Sequence, residues 1–245
     1  LSAGVLGTLR LLFDWQRKGR IHASDRLGWN VRTNSESLLG VRRFDKDVNL
    51  AEGVAITSGV YIDEETHVEV VRYPEGANIM AGMTSVLTDA ESGKSRILLF
   101  LKNILRHPVL AFRAVWPGKW AKQSCILLVM QSRDNRIRFV GKRKLFGGTK
   151  LKSKLEPGVE RVPVYIPQAN AFARTMAKLV KGVAMSNIYE VFFGTPLTAH
   201  ILGGCPMGDD EATGVVDPQH RLFGEDGILV VDGSVIPANL GVNPS

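Results

Sequence analysis

The alternation of apolar and polar positions predicts a mixed chain of helices and strands. Over residues 5–18, Leu9, Leu12 and Phe13 share a helical face, Arg17 and Lys18 occupy the last turn, and Gly19 is a stop signal. Residues 20–50 show no clear period. Residues 54–61 and 66–73 read as strands split by the acidic turn Asp63-Glu64-Glu65. Side chains alternate along a strand, so His67, Glu69, Val71 and Tyr73 fall on one face of the second. A helix is predicted over 95–107, ending before Pro108, and a second apolar segment runs to Trp116. Both carry Arg, Lys or His among Leu and Phe. A packed helical pair is the plain reading, and a surface that touches lipid is the sharper one. Residues 124–131 and 136–140 then predict a hairpin turning at Asp134-Asn135. Pro167 opens an amphipathic helix over 168–181, with Phe172, Met176, Leu179 and Val180 as its stripe and Gly182 as its stop. The C-terminal stretch is rich in glycine turns around one apolar strand, 228–231.

Composition narrows the class. With 245 residues, the chain can build one large or two modest domains. Its 44% hydrophobic and 22% charged residues exclude a disordered or collagen-like protein. The longest apolar run, 125–130, falls well short of the roughly 20 residues that a membrane helix needs. Cys125 and Cys205 are too few for a disulfide framework or, alone, a structural zinc site. The redox compartment therefore stays open.

The net charge of +7 is unevenly spread: eight basic and no acidic residues lie between Arg136 and Leu155. Only Phe139 and Phe146 are available there for stacking on bases, so a nucleic-acid partner is not expected. A solvated basic edge that discourages strand aggregation is the favoured reading, with anionic headgroups as a weaker alternative. Leu1 is not a start methionine, the first residues read as a strand entering a tight turn, and Asn243-Pro244-Ser245 reads as a helix start. The sequence thus reads as a piece of a longer chain. Cytoplasmic and secreted or cell-envelope locations both stay open.

Chemistry concentrates near the C-terminus. His200 precedes Gly203-Gly204, a pair that allows a tight turn or a close approach to a ligand. An apolar strand ends in Asp232-Gly233, a common place for a carboxylate that holds nucleotide or ribityl hydroxyls. The amide of Asn243 offers both a donor and an acceptor. Taken singly, these are also what a structural histidine and an ordinary turn look like.

Their joint order resembles the C-terminal signature of the glucose–methanol–choline (GMC) flavin oxidoreductases, and more narrowly the cholesterol-oxidase-like branch. The resemblance rests on His200-x-x-Gly203-Gly204-Cys205, on Val231-Asp232-Gly233-Ser234-x-Ile236-Pro237 and on Gly241-Val242-Asn243-Pro244. Ser2-Ala3-Gly4-x-x-Gly7-Thr8 is similar to the strand–turn–helix that closes the family's FAD domain, and Glu69, followed by Pro74 and Gly76, to the setting of the active-site glutamate.

The resemblance implies an α+β fold, the C-terminal part of a two-domain FAD-dependent oxidoreductase. It would comprise an antiparallel-sheet substrate domain and part of the FAD-binding α/β domain. Residues 1–48 would end the first passage through the FAD domain, 49–212 would form the substrate-binding domain, and 213–245 would return to the FAD domain. The implied activity is oxidation of a secondary alcohol, most simply a 3-hydroxysteroid such as cholesterol, by hydride transfer to flavin N5. Oxygen or another acceptor would then take the electrons, and a double-bond isomerisation could accompany the oxidation. His200 would receive the hydroxyl proton or its hydrogen bond. Asn243 would orient the substrate oxygen beside the flavin, and Glu69 would move the proton for isomerisation. Asp232, Gly233, Asn243 and Pro244 would line the FAD, with the ligand between domains, His200 and Glu69 on the substrate side and Asn243 on the flavin side. No metal is implied. The Gly-x-Gly-x-x-Gly turn is absent and expected upstream of Leu1, so the fragment alone is expected not to hold FAD.

Three alternatives remain at this level. The first is a GMC dehydrogenase, or an oxidase of another bulky alcohol. The second is a metal or nucleophile enzyme using His200 and Cys205. The third is a non-catalytic basic module for anionic membranes or nucleic acid. Transient membrane contact is also compatible with a sterol substrate.

Overall fold

The computed structural model describes residues 1–145 and 147–243. Phe146 and Pro244, the latter expected beside the flavin, lie outside the described residues. In chain order the first elements are α1 (Gly4–Arg17), β1 (Val31–Arg32), β2 (Ser37–Arg42), β3 (Ile56–Tyr61), β4 (Thr66–Val71) and β5 (Thr84–Val86). Then come α2 (Arg96–Arg106), α3 (Pro108–Val115), α4 (Trp120–Gln123), β6 (Ser124–Gln131), β7 (Arg136–Arg143) and β8 (Thr149–Leu155). The last are α5 (Pro167–Leu179), β9 (Val183–Asn187) and α6 (Ile188–Phe193). The result is the expected mixture of helices with antiparallel sheets.

The chain forms two compact units: the first holds Leu1–Asn34, Arg133–Val162 and the residues from Ala199 onward, the second Ser35–Ser132 and Pro163–Thr198. These divisions differ from the expected ones at 48 and 212. The reason lies in the core of the first unit, where Val5, Leu9, Leu12 and Val31 pack with Cys205 and Val215, and Ile137, Phe139 and Leu151 close over them.

In the first unit, α1 buries Val5, Leu9 and Leu12, one helical face, and Gly19 beyond it adopts a left-handed φ of 64°. The antiparallel sheet β1-β7-β8 covers it. Gly141 of β7 leaves room for Phe13 of α1, whose Cβ a methyl there would approach to 2.7 Å. The basic residues point the other way: Arg138 stands opposite Lys154, and Lys142 opposite Lys150. Like charges directly opposed are tolerated only when solvated. They lie on the outward face of β7 and of β8, and β8, with Lys150, Lys152 and Lys154, is an edge strand of the sheet. The expected strand 228–231 is present only as single bridges, with Leu229 paired to Arg221 and the Val231 amide to the Leu1 carbonyl.

The second unit is built on a six-stranded antiparallel sheet, β3-β4-β6-β2-β9-β5. One face carries Leu39, Val41, Val68, Leu127 and Val129 under α5. That helix buries Ala169, Ala173 and Ala177, not the expected Phe172-Met176-Leu179-Val180 stripe, and Leu179 is exposed. Small residues four apart let the helix backbone approach the sheet, while Phe172 and Met176 wedge in at the sides. The predicted hairpin is also corrected. Strands form at both places, but β6 has β2 on one edge and β4 on the other, leaving no edge for β7, which pairs with β1 and β8. Asp134, the expected turn residue, instead takes the guanidinium of Arg32 at 2.8 Å.

Helices α2 and α3 form the expected pair, with Phe100 and Ala114 buried against Val86, Met185 and Val191. The last carbonyls around α3 are closed by the buried guanidinium of Arg42, which donates to Arg113 (3.0 Å), Trp116 (2.6 Å) and Gly118 (2.8 Å). Burial, with Arg113 nearby, pulls that guanidinium down to about 10.

Candidate active site

The His200 segment is stitched into the first unit by backbone bonds. Leu202 and Arg32 exchange both bonds, at 2.8 and 3.0 Å. The Gly203 amide donates to the Gly233 carbonyl at 2.9 Å, and the Cys205 amide to the Ser234 carbonyl at 2.8 Å. The two sequence motifs, one at 200–205 and one at 231–237, are therefore neighbouring strands of backbone. Gly203 has φ 81°, and a Cβ there would lie 2.0 Å from the Asn30 carbonyl oxygen. At Gly204, φ 103°, a Cβ would meet Leu9 at 2.6 Å. The Gly-Gly pair is thus required by packing against this chain itself. Cys205 is fully buried, which pushes its thiol up to about 12. It offers no ready thiolate nucleophile at neutral pH.

Asp232 sits against the start of α1. Its Oδ2 accepts from the Thr8 hydroxyl at 2.5 Å and its Oδ1 from the Ser234 amide at 2.9 Å. Burial works against its charge, but the bonds from Ser234 and Thr8 outweigh that and hold the carboxyl below the ordinary carboxylate range. Both oxygens are engaged within the protein, so the residue's first task is to hold this turn.

Asn243 is half-buried. The preceding carbonyl, that of Val242, accepts from the Asn34 side chain at 2.7 Å, and the Gly241 amide donates to Asn239 Oδ1 at 2.9 Å. His200 and Asn243 both belong to the first unit, rather than to opposite sides as expected. The short segment 31–34 anchors both stretches, through Arg32 on Leu202 and Asn34 on Val242. Neither anchor stood out in the sequence, because the segment is too irregular to leave a period.

Glu69 lies in the second unit, on β4. Its side chain and that of His67 are both 12% exposed, with His67 Nδ1 3.8 Å from Glu69 Oε1, too far for a hydrogen bond. Glu69 Oε2 is buried and has no hydrogen-bond partner among the described residues. Gly59, directly opposite on β3, makes room for the imidazole, since a Cβ there would sit on its Nε2, and the Tyr61 ring packs on it at 4.6 Å. Across the sheet Glu69 pairs with Leu128 and Leu128 with Leu38, a row on the face away from α5. This is not the setting of a solvated strand glutamate. The next row, Ile126-Gly40-Met185, borders a cavity of about 100 Å³ that Met80, Met83 and Trp120 also line.

One titratable residue escaped the sequence reading. Glu190 is buried at the start of α6, accepting from the Leu38 amide (2.8 Å) and the Ser37 hydroxyl (2.9 Å). Burial pushes its carboxyl up to about 7 against those bonds and the pull of Arg96. No motif marked it, since its setting depends on two distant segments meeting.

Residues 167–245 match the family model described as GMC oxidoreductase. The whole chain is 44% identical over 247 residues to a cholesterol oxidase of Acinetobacter baumannii, covering 44% of that protein. It is 41% identical over 252 residues to a cholesterol oxidase of Mycobacterium tuberculosis, covering 43% of it. A segment of 53 residues, 22% of this chain and 7% of the relative, is 36% identical to a long-chain-alcohol oxidase of Arabidopsis thaliana. A solved FAD-dependent oxidoreductase from Chaetomium thermophilum overlays with a TM-score of 0.46 and 11% identity, over all of this chain and 52% of that one. The chain spans less than half the length of the cholesterol oxidases it matches. The chain is thus similar to GMC oxidoreductases over residues 167–245 and to cholesterol oxidases over its whole length.

Proposed function

We propose that the protein to which this chain belongs oxidises a bulky apolar secondary alcohol, a 3-hydroxysteroid such as cholesterol, using FAD, with oxygen or another acceptor taking the electrons. The observation that carries the substrate class is Glu69: a buried carboxylate oxygen without a partner, in an apolar row of the sheet beside a cavity lined by methionines. An uncompensated carboxylate is costly, and such groups persist where they act.

The Asp232 turn and Asn243 are the residues that would meet the ring end of a flavin. Asn243, half-buried, lies in the loop that follows the Asp232–Gly233 turn. Asp232 would hold the turn through Thr8 and Ser234, while Gly233 and Asn243 would border the ring. Bound FAD would supply the two-electron acceptor. An imidazole nitrogen of His200 would receive the alcohol proton, a task that suits an imidazole near neutral pH. The Asn243 amide would fix the substrate oxygen by hydrogen bonding. Glu69 would take up and return the proton that shifts a steroid double bond, from its place in an apolar row of the sheet.

The test uses the full-length purified flavoprotein. Cholesterol added without oxygen should bleach the flavin absorbance, and His200→Ala and Asn243→Ala should slow that bleaching far more than they weaken FAD binding. Normal reduction in both variants would overturn the assignment. Hydrogen peroxide release on admitting air separates oxygen from another acceptor.

A further inference from the structure

We propose that the outer face of α2 and α3 is a docking surface for an anionic phospholipid bilayer. The two helices bury one side each, Phe100 and Ile104 on α2 and Ala111 and Ala114 on α3, against the core around Val86 and Met185. Their outer side is also apolar. Leu105 and Val109, flanking the turn at Pro108, are 81% and 70% exposed, and Leu98, Phe112 and Trp116 join them on the surface. The Phe112 and Trp116 rings lie 5.2 Å apart, an exposed aromatic pair of the kind that settles at the level of lipid headgroups. Water strongly disfavours this much apolar area on a monomer surface.

Charge identifies the occupant. Between Glu91 and Asp134 the sequence contains no acidic residue. Lys102 and Arg106 flank the exposed leucines of α2, and their stems can lie along an apolar surface while their charged ends reach phosphate. A groove of about 540 Å³ opens beside Asn103, His107 and Leu110, and its other wall carries Arg174, Lys178 and Lys181. Asp89 compensates Arg174, leaving the two lysines for headgroup phosphates. An apolar face bounded by cations on both sides matches an anionic bilayer and would repel a second copy of itself. No helix among the described residues is long and apolar enough to cross a membrane.

The test uses the full-length holoenzyme and sedimentation with vesicles of phosphatidylcholine and phosphatidylglycerol, against vesicles of phosphatidylcholine alone. The wild type should co-sediment with the mixed vesicles and less with the neutral ones. The variant Leu98→Ser with Leu105→Ser and Phe112→Ser, and separately Lys178→Glu with Lys181→Glu, should each bind mixed vesicles ~10-fold or more weakly. Turnover of a detergent-dispersed alcohol should stay unchanged in both, which separates this surface from the proposed reaction. Absence of wild-type binding, equal binding by both variants, or a wild-type dimer in ultracentrifugation that the serine variant abolishes would each overturn the proposal.

Discussion

Thr8 donates its hydroxyl to the Asp232 carboxylate at 2.5 Å, across 224 residues of chain. The bond ties the first turn of α1 to the turn that carries Gly233, and the same carboxylate accepts from Ser234. There the N-terminal and C-terminal motifs meet through polar side chains whose chemistry can be altered singly. Thr8→Val should cost about 1 kcal/mol, the usual worth of a hydrogen bond. The sign with pH follows from the depressed carboxyl of Asp232. Its contribution is present above the ordinary carboxylate value of about 3.9 and disappears as pH falls through the lower folded value. The gap between wild type and Thr8→Val in urea should therefore be open at pH 7 and narrow towards pH 2. A constant gap would mean that the bond is not to a charged group.

Gly203 gives a sharper test. A methyl there meets the Asn30 carbonyl at 2.0 Å on a backbone already at φ 81°. Gly203→Ala should destabilise by about 3 kcal/mol or more and displace the strand that carries His200. Thermal melting and bound-flavin content of the full-length enzyme are the readouts. An unaffected melting temperature would contradict the packing described here.

Glu190 sets a pH dependence of the opposite sign to Asp232. Its folded carboxyl is pushed up to about 7, above an unfolded value of about 4.3. Its contribution to stability is complete below the unfolded value and is lost as pH rises through about 7. Glu190→Gln keeps an acceptor for the Leu38 amide and removes that loss. The variant should gain roughly 1–2 kcal/mol over wild type at pH 8.5, relative to their difference at pH 5. Parallel denaturation curves at the two pH values would show that Glu190 does not titrate in this range.

Glu69→Gln separates oxidation from isomerisation in the proposed reaction. Flavin reduction by cholesterol should persist, and the product should keep its original double-bond position. The migrated ketone in wild-type proportion would remove Glu69 from the mechanism. The partner variant Gly59→Ala, which would drive a Cβ into the His67 ring, should disturb Glu69 indirectly and lower isomerisation without changing the carboxylate.

The sequence by itself determined the elements with strong periods and the motifs with fixed spacing. Helix α1, strands β3 and β4, helices α2 and α3 and the start of α5 at Pro167 follow from local patterns, because each carries its own period or boundary residue. The shared face of His67 and Glu69 followed from strand alternation alone. Tertiary structure decided the rest. The three alanines of α5 displaced the larger stripe because sheet packing rewards close approach, which hydrophobicity along one helix does not reveal. Strands β6 and β7 went to different sheets because both edges of β6 were already taken. Gly203-Gly204, read as room for a turn or a ligand, take the left-handed backbone of a turn and leave room for Asn30 and Leu9. The anchoring of the stretches around Leu202 and Val242 on segment 31–34 and the burial of Glu190 depend on contacts between segments far apart in the chain. Such contacts arise only when the whole core condenses, so no local window of residues can encode them.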